Sequence, residues 1–590
     1  MGEPQAIMMS AKQGVYSLVM GLRQFGVEDV VICPGSRNAP FVLSFAGSGL
    51  FRCHSIADER AAGFYALGMA LGSGKICAVV CTSGSAGVNL APAVVEAYFL
   101  RVPMVVITAD RPIEWTDQGD GQTIRQEGIF GKHLQGYFQL IEDARNTEGE
   151  WMNRREISRL LNRISGLQPG PIHINAPLSE PLYESRTYGP EESPHFYRSL
   201  NPSAILSGTK EPEWQGRLEK LRREMKRCQR VMILIGQMPY NEELRLALEE
   251  LSAEPNVVVL SESTSNMPLS RGIDTIDRLL MPLGQGPEWA SLMPDLLITT
   301  GGMIVSKRIK FLLRTHAPKA HWHVHPQDEG MDTFCALSLE VNCKPEAFFK
   351  GLLGGDSGVL SEADYASRWA ELKVVAEDAH RSFLLEVPWS DMKAFELLLG
   401  ALSPPLQLHL ANSSPVRYYQ LFGGREGMPS HANRGSSGID GCSSTAAGWA
   451  LARGDQKHLL ITGDVAFLYD SNALWNRHFP KNLKICVINN GGGGIFRIIP
   501  GPGKQEEMLP FFEAHHPVDI ASLAKAYGIS HQIVKDAESL DEVLRDWLEI
   551  PGASILEIST PREGNAGVLR NYFKHIRAKL LPRFLILTGV

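Results

Sequence analysis

Gly463-Asp464-Val465 follows an apolar run that ends at Ile461, and a second apolar run, Ile485-Cys486-Val487-Ile488, ends in Asn489-Asn490-Gly491-Gly492. The interval between Asp464 and Asn490 suits a helix and a return strand, which would bring both side chains out at one edge of a parallel sheet. A carboxylate, an amide oxygen and a glycine-region carbonyl are hard oxygen donors. They suit Mg²⁺ and leave octahedral positions for diphosphate oxygens and water. The plainer alternative is an ordinary strand-to-helix turn. A second carboxylate opens an otherwise small and apolar segment, Asp58-Glu59-Arg60-Ala61-Ala62-Gly63-Phe64-Tyr65-Ala66-Leu67-Gly68. Its plain reading is an acid that complements a helix N-terminus. Thr82-Ser83-Gly84-Ser85-Ala86-Gly87 is a loop that enters a small-residue helix.

The elements that must position these groups read as α/β throughout. In the first third, strands near 30–33, 76–81, 104–108 and 172–175 alternate with helices near 59–71 and 86–99, which argues for a parallel sheet covered on both faces. Residues 182–213, rich in Pro, Ser, Tyr and charge, read as a linker. Strands near 231–235, 257–260, 296–299 and 321–325 form a second block, and polar residues 363–381 read as helical. A third block has strands near 406–410, 459–461, 483–488 and 555–558. The expected fold is three doubly wound parallel-sheet domains, at 1–185, 186–385 (with the linker at its start) and 386–590.

Composition narrows the classes. A chain of 590 residues exceeds one core, and 44% hydrophobic with 21% charged residues is the balance of a globular protein. A formal charge of −7, with no basic tail, disfavours nonspecific nucleic-acid binding. Nine scattered cysteines, never spaced as CxxC, read as reduced thiols in a cytoplasmic protein. There is no basic-then-apolar leader pattern, and no apolar stretch approaches the roughly 20 residues of a membrane span.

Cys33-Pro34-Gly35-Ser36-Arg37, Thr108-Ala109-Asp110-Arg111-Pro112, Gln122-Thr123-Ile124-Arg125-Gln126, Asn433-Arg434-Gly435-Ser436-Ser437-Gly438-Ile439-Asp440-Gly441 and Gly493-Gly494-Ile495-Phe496 resemble the motifs of the MenD family. These are the thiamine diphosphate-dependent 2-succinyl-5-enolpyruvyl-6-hydroxy-3-cyclohexene-1-carboxylate synthases of menaquinone biosynthesis. The resemblance covers nearly the whole chain and is strongest in the first and third blocks. The middle block carries it mainly in Ser306-Lys307-Arg308.

The resemblance implies a transferase that decarboxylates 2-oxoglutarate and adds the resulting carbon unit, Michael fashion, to isochorismate. Its cofactors would be thiamine diphosphate and Mg²⁺ or Mn²⁺. Glu59 would be the acid beside N1′ of the cofactor's aminopyrimidine, Gln122 a polar group by the reacting centre, and Ile439 the apolar wedge that keeps the cofactor bent. Thr82 and Gly84 would line the pyrimidine side; Gly463, Asp464, Val465, Ala466, Asn490 and Gly492 the diphosphate side. Asp464, Asn490 and the Gly492 carbonyl would hold the metal, with a helix beginning near Ala466. Ser36, Arg37, Lys307, Arg308, Ser413, Arg417 and Arg434 would face the substrates, and Ile495 and Phe496 would supply apolar wall. Each cation alone reads as a solvated surface charge; gathered in one cleft they suit dicarboxylates. The family's architecture implies a homodimer or a dimer of dimers.

Other signals have plainer readings. His321, His323 and His325 share a strand face but lack further ligands at metal spacing. Gly72-Ser73-Gly74-Lys75 departs from a P-loop at Met69 and Ile76. Ser413-Ser414 lacks a nucleophile elbow. Asp120-Gly121 before Gln122 departs from the family pattern, and four consecutive glycines, 491–494, free the metal loop at an entropic cost. Two rivals stand beside the main reading: another thiamine diphosphate-dependent 2-oxo acid decarboxylase or carboligase, and a noncatalytic nucleotide-binding protein of the same fold.

Overall fold

The computed structural model describes residues 6–143, 147–166, 168–198, 212–284, 286–326, 330–353, 363–498 and 506–589. The chain divides into two compact units. One comprises Met1–Asn201, Asn433–His458 and Ala466–Leu483, and the other Pro202–Ala432, Leu459–Val465 and Lys484–Val590.

The first unit holds a six-stranded sheet in the order Arg52–Ser55, Asp29–Ile32, Cys77–Cys81, Met104–Asp110, Pro171–Pro177 and Gly136–Gln139. Every neighbouring pair runs parallel. The central strands are buried end to end, as a sheet covered by helices on both faces demands. The second unit holds a five-stranded parallel sheet ordered Val257–Ser261, Val231–Ile235, Leu296–Thr300, Ala320–Val324 and Leu337–Val341. A further six-stranded sheet is ordered Ser430–His431, Gln407–Leu410, His458–Gly463, Leu483–Asn489, Ser554–Ser559 and Ser530–Val534. The α/β class expected from the sequence is the one observed.

Five strands of these sheets lack an apolar run and are not legible in the sequence: Arg52–Ser55, Gly136–Gln139, Leu337–Val341, Ser430–His431 and Ser530–Val534. Each lies at a sheet edge. Edge strands need only one paired side and tolerate polar side chains. The helix expected over 86–99 is two helices, Ser85–Asn89 and Ala91–Leu100, because Pro92 starts the second. The expected linker is partly packed structure. Ser185–Tyr188 pairs antiparallel with Ile7–Ser10, and Tyr188 stacks on Tyr16 at 3.7 Å. Residues 199–211 of that linker lie outside the described residues.

His321 Nε2 and His323 Nδ1 each lie 2.8 Å from Thr299 Oγ1, so their shared face is a hydrogen-bonded cluster inside the sheet. Gly74 adopts a left-handed conformation as the C-cap of helix Glu59–Ser73, which makes the P-loop-like stretch a helix end. Among the described residues no helix is long and apolar enough to cross a membrane.

Candidate active site

In the first unit, Asp58 caps helix Glu59–Ser73 by accepting from the Ala61 amide at 2.9 Å, and its other oxygen accepts from Asn472 at 2.5 Å. Glu59 therefore stands in the first turn, where it borders a cavity of about 450 Å³. Ser36, Thr82, Gly84 and Gln122 line the same cavity, as does Asn89, whose amide lies 3.5 Å from Glu59 Oε2.

The walls of this cavity admit no bulk. A Cβ on Gly35 would lie 2.3 Å from the Thr82 Cβ, and Gly84, at φ 81°, packs against the Gln122 backbone. Gln122 itself has φ 55°, a left-handed conformation rare for a side-chain-bearing residue. Gln126 sets this approach: it accepts from the Gly84 amide at 3.1 Å and donates to Asn175 Oδ1 at 2.7 Å. Asn175 in turn donates to Asp110 at 2.9 Å. Thr82 Oγ1 and Ser83 Oγ are buried without a hydrogen-bond partner. A cavity lined by two orphaned hydroxyls and a carboxylate fits the polar edge of an aminopyrimidine.

Arg37 is buried; it donates to the Leu178 carbonyl at 2.9 Å, pairs with Glu180 at 3.2 Å, and leaves Nε without a partner. Burial lowers its pKa, and Arg111 lowers it further. Arg111 received no role from the sequence. It ties the Gln122 loop by contacts at 3.3 Å to both Asp120 and the Gly121 carbonyl, which answers the departure noted there. Arg434 is buried in a loop held from helix Ala91–Leu100: Glu96 accepts from the Gly435 and Ser436 amides at 2.7 and 2.6 Å and from Ser436 Oγ at 2.6 Å. Burial raises the Glu96 pKa against those donors. Ile439 is half-buried two residues before Gly441, whose lack of a Cβ, which would stand 2.2 Å from the Phe64 ring, lets the backbone pass it.

In the second unit, strand His458–Gly463 delivers Asp464 and strand Leu483–Asn489 delivers Asn490. Both side chains are buried. Asp464 accepts from the Val465 and Gly492 amides, each at 2.8 Å. Gly491, Gly492 and Gly493 have φ of 79°, 127° and 77°, a run open only to glycine. The helix after Gly463 begins at Asp464, two residues earlier than expected at Ala466, and places the carboxylate in its first turn. The donors available here, a carboxylate, an amide oxygen and the Gly492 carbonyl, are oxygen-only and fit a hard divalent cation.

Two nearby residues had no sequence signal. His516 Nε2 lies 3.5 Å from Asp464 Oδ2. Asp391 is buried, its pKa pushed up to about 6 by burial against bonds from Thr560, Asn490 and Asn565. Ile495 and Phe496 lie in the short helix Ile495–Ile498, and Phe496 packs on Phe512 with ring centroids 5.7 Å apart.

Two further cations of this unit, Arg308 and Arg417, act on half-buried Asp277. Ser306 caps helix Lys307–Thr315 and donates its hydroxyl to Asp277, while Glu262 accepts from the Ser306 amide at 2.7 Å. Burial raises the Asp277 pKa, with Ser306, Arg417 and Arg308 opposing. Arg308 donates to the carbonyls of Leu280, at 3.2 Å, Gly284, at 2.7 Å, and Leu283, so much of its fork closes the end of helix Ile276–Leu280. Arg417 donates to the Ser413 carbonyl, and Ser413 has φ 73°. Lys307 is exposed.

Residues 12–134 match the family model of the thiamine pyrophosphate enzyme N-terminal TPP binding domain, and residues 417–558 match that of the C-terminal TPP binding domain. The chain is 39% identical to a protein of Porphyromonas gingivalis, covering 97% of this chain and 99% of that one. It is 42% identical to one of Flavobacterium johnsoniae (93% and 96%) and 36% identical to one of Bacteroides fragilis (97% and 100%). All three bear the name 2-succinyl-5-enolpyruvyl-6-hydroxy-3-cyclohexene-1-carboxylate synthase. With thiamine diphosphate-binding domains at both ends and such identity over nearly its full length, the chain belongs to the MenD family of thiamine diphosphate-dependent synthases.

Proposed function

We propose that the protein is the transferase of menaquinone biosynthesis that decarboxylates 2-oxoglutarate and joins the remaining carbon unit to isochorismate, releasing CO₂ and 2-succinyl-5-enolpyruvyl-6-hydroxy-3-cyclohexene-1-carboxylate. The observation that carries the reading is the cavity bounded by Glu59, Thr82, Gly84 and Gln122 in a chain of this family. Bound thiamine diphosphate supplies a carbon nucleophile and an electron sink that no side chain offers.

The chain's own residues supply position, charge and protons. Glu59 holds a proton at N1′ of the aminopyrimidine, and Asn89 steadies its carboxyl. Gln122 is held toward the cavity by its left-handed backbone, while Ile439 provides bulk without a competing polar atom. Asp464, Asn490 and the Gly492 carbonyl hold Mg²⁺ or Mn²⁺, and 463–466 form the diphosphate side. Arg37, Arg434 and Ser36 of the first unit, and Lys307, Arg308, Arg417, Ser413, Ile495 and Phe496 of the second, keep the substrate-facing roles that the family resemblance implies, their positive charge suiting dicarboxylates. Arg111 joins this set, since it borders Arg37 and the Gln122 loop.

Three domains, at 1–185, 186–385 and 386–590, are supported by one parallel sheet within each span. A cytoplasmic homodimer or dimer of dimers is the assembly we infer from the family's architecture.

The test is product formation followed by mass spectrometry, with purified protein, thiamine diphosphate, Mg²⁺, 2-oxoglutarate and isochorismate, beside Glu59→Gln. Coupled product that requires both substrates and collapses in the variant is expected. Decarboxylation with no coupled product would favour the rival 2-oxo acid decarboxylase.

A further inference from the structure

Asn490 carries an amide whose two ends are chemically opposite: Oδ1 accepts, Nδ2 donates, and only Oδ1 can serve a cation. Which end faces the glycine loop is decided on the far side of the amide. Asp391, the first residue of helix Asp391–Ala401, is buried there and accepts from Asn490 Nδ2 at 3.1 Å through its Oδ2. Its Oδ1 accepts from Thr560 Oγ1 at 2.6 Å and from Asn565 Nδ2 at 2.8 Å, and its own backbone amide donates to Asn565 Oδ1 at 2.7 Å. The carboxylate is thus fixed through Oδ1 by Thr560 and Asn565, neither of which belongs to the glycine loop, and its other oxygen accepts from Asn490.

Turning the Asn490 amide over would set Oδ1 against Asp391 Oδ2, two acceptors in a buried site, with one hydrogen bond lost and two lone pairs opposed. We propose that Asp391 is a positioning residue: it fixes the amide orientation of Asn490 and so presents Asn490 Oδ1 to the divalent cation. The inference rests on reading Asp464, Asn490 and Gly492 as metal ligands. Groups behind metal ligands commonly govern affinity in this way, by removing orientations that cannot bind.

The experiment titrates Mn²⁺ into the full chain with thiamine diphosphate present, reads free Mn²⁺ by electron paramagnetic resonance, and records the melting temperature without metal. Asp391→Asn has nearly the same volume but brings a donor of its own, so it no longer enforces one orientation. It is expected to bind Mn²⁺ about ten- to a hundred-fold more weakly while its metal-free melting temperature stays near that of wild type. Thr560→Val, which removes a bond to Asp391 but leaves the one to Asn490, is expected to weaken Mn²⁺ binding much less. Should Asp391→Asn fail to fold, Asp391→Glu is read instead: it keeps the charge but displaces the acceptor, and weaker binding is again expected. Unchanged Mn²⁺ affinity in whichever folded variant is measured would overturn the inference. A wild-type chain whose Mn²⁺ binding is absent, or survives Asp464→Ala, would instead overturn the metal site itself.

Discussion

Gly68 and Gly448 each lie against the backbone of the other's helix. A Cβ on Gly68 would stand 2.1 Å from the Thr445 carbonyl oxygen, and one on Gly448 would stand 2.1 Å from that of Tyr65. Helices Glu59–Ser73 and Cys442–Ala452 can approach this closely only because neither presents a side chain at the crossing. The contact ties the helix that carries Glu59 to the segment that carries Arg434 and Ile439.

Gly68→Ala and Gly448→Ala should each force the helices apart and lower stability by about 1–3 kcal/mol or more, the usual range for overpacking. Gly216→Ala, at an exposed position of helix Pro212–Arg227 with nothing within 4 Å of the added Cβ, should instead raise stability by about 0.5–1 kcal/mol. Thermal melts of the three variants check the contrast. A Gly68→Ala protein as stable as wild type would remove the crossing from the argument.

Glu59→Gln keeps the size of the side chain and removes the acid. Turnover should fall by about 10²–10⁴-fold, the range of a lost general acid–base group, with thiamine diphosphate affinity changed little. Single-turnover kinetics beside a cofactor titration separates the two effects. Equal losses in binding and turnover would reduce Glu59 to a wall of the cavity.

Gly492→Ala places a Cβ 2.7 Å from both the Ala514 carbonyl oxygen and the His515 Cα, at a φ of 127° that side-chain-bearing residues avoid. The loop must move, and its carbonyl with it. For wild type, chelating the metal should lower the melting temperature, because a ligand bound only by the folded state stabilises it. For Gly492→Ala that shift should nearly vanish. Calorimetry with and without chelator reads it directly.

His380 is buried against Tyr572, 2.8 Å from its hydroxyl, and burial lowers its pKa from 6.5 to about 3. Between those values the unfolded chain binds a proton that the folded one does not. Stability therefore falls as pH drops below about 6.5, by about 1.4 kcal/mol per pH unit for this residue. His380→Gln, which retains a polar partner for Tyr572 and does not titrate, should flatten the fall in melting temperature between about pH 6.5 and 4.5. An unaltered slope would assign the acid sensitivity elsewhere.

The α/β class and the central strands were legible because a strand buried on both faces must be apolar along its length, as 104–108 and 231–235 are. The polar edge strands were not, since pairing on one side suffices to hold them. Asp464 and Asn490 were legible as oxygen-bearing residues where an apolar strand gives way to a helix or loop, and Glu59 as an acid opening a small, apolar helix. Asp391, Glu96 and Gln126 were not, because each acts through a hydrogen bond to a distant residue and looks locally like a helix-end acid, a helix-face acid or a loop amide. Arg308 shows the converse: its charge was evident, while the three carbonyls that occupy its fork depend on how the chain returns to it.

Glu96 meets its partners in Gly435 and Ser436, with Gly435 lying 339 residues further along the chain. At synthesis rates of about 5–20 residues per second, the donors that satisfy this buried carboxylate emerge about 20–70 s after it. Over the same interval the glycine face of helix Glu59–Ser73 waits for Cys442–Ala452. All strands of the first sheet are thus translated early while two of its covering helices find their partners late, leaving a carboxylate and a bare helix face open on the nascent chain until about the last quarter is being translated.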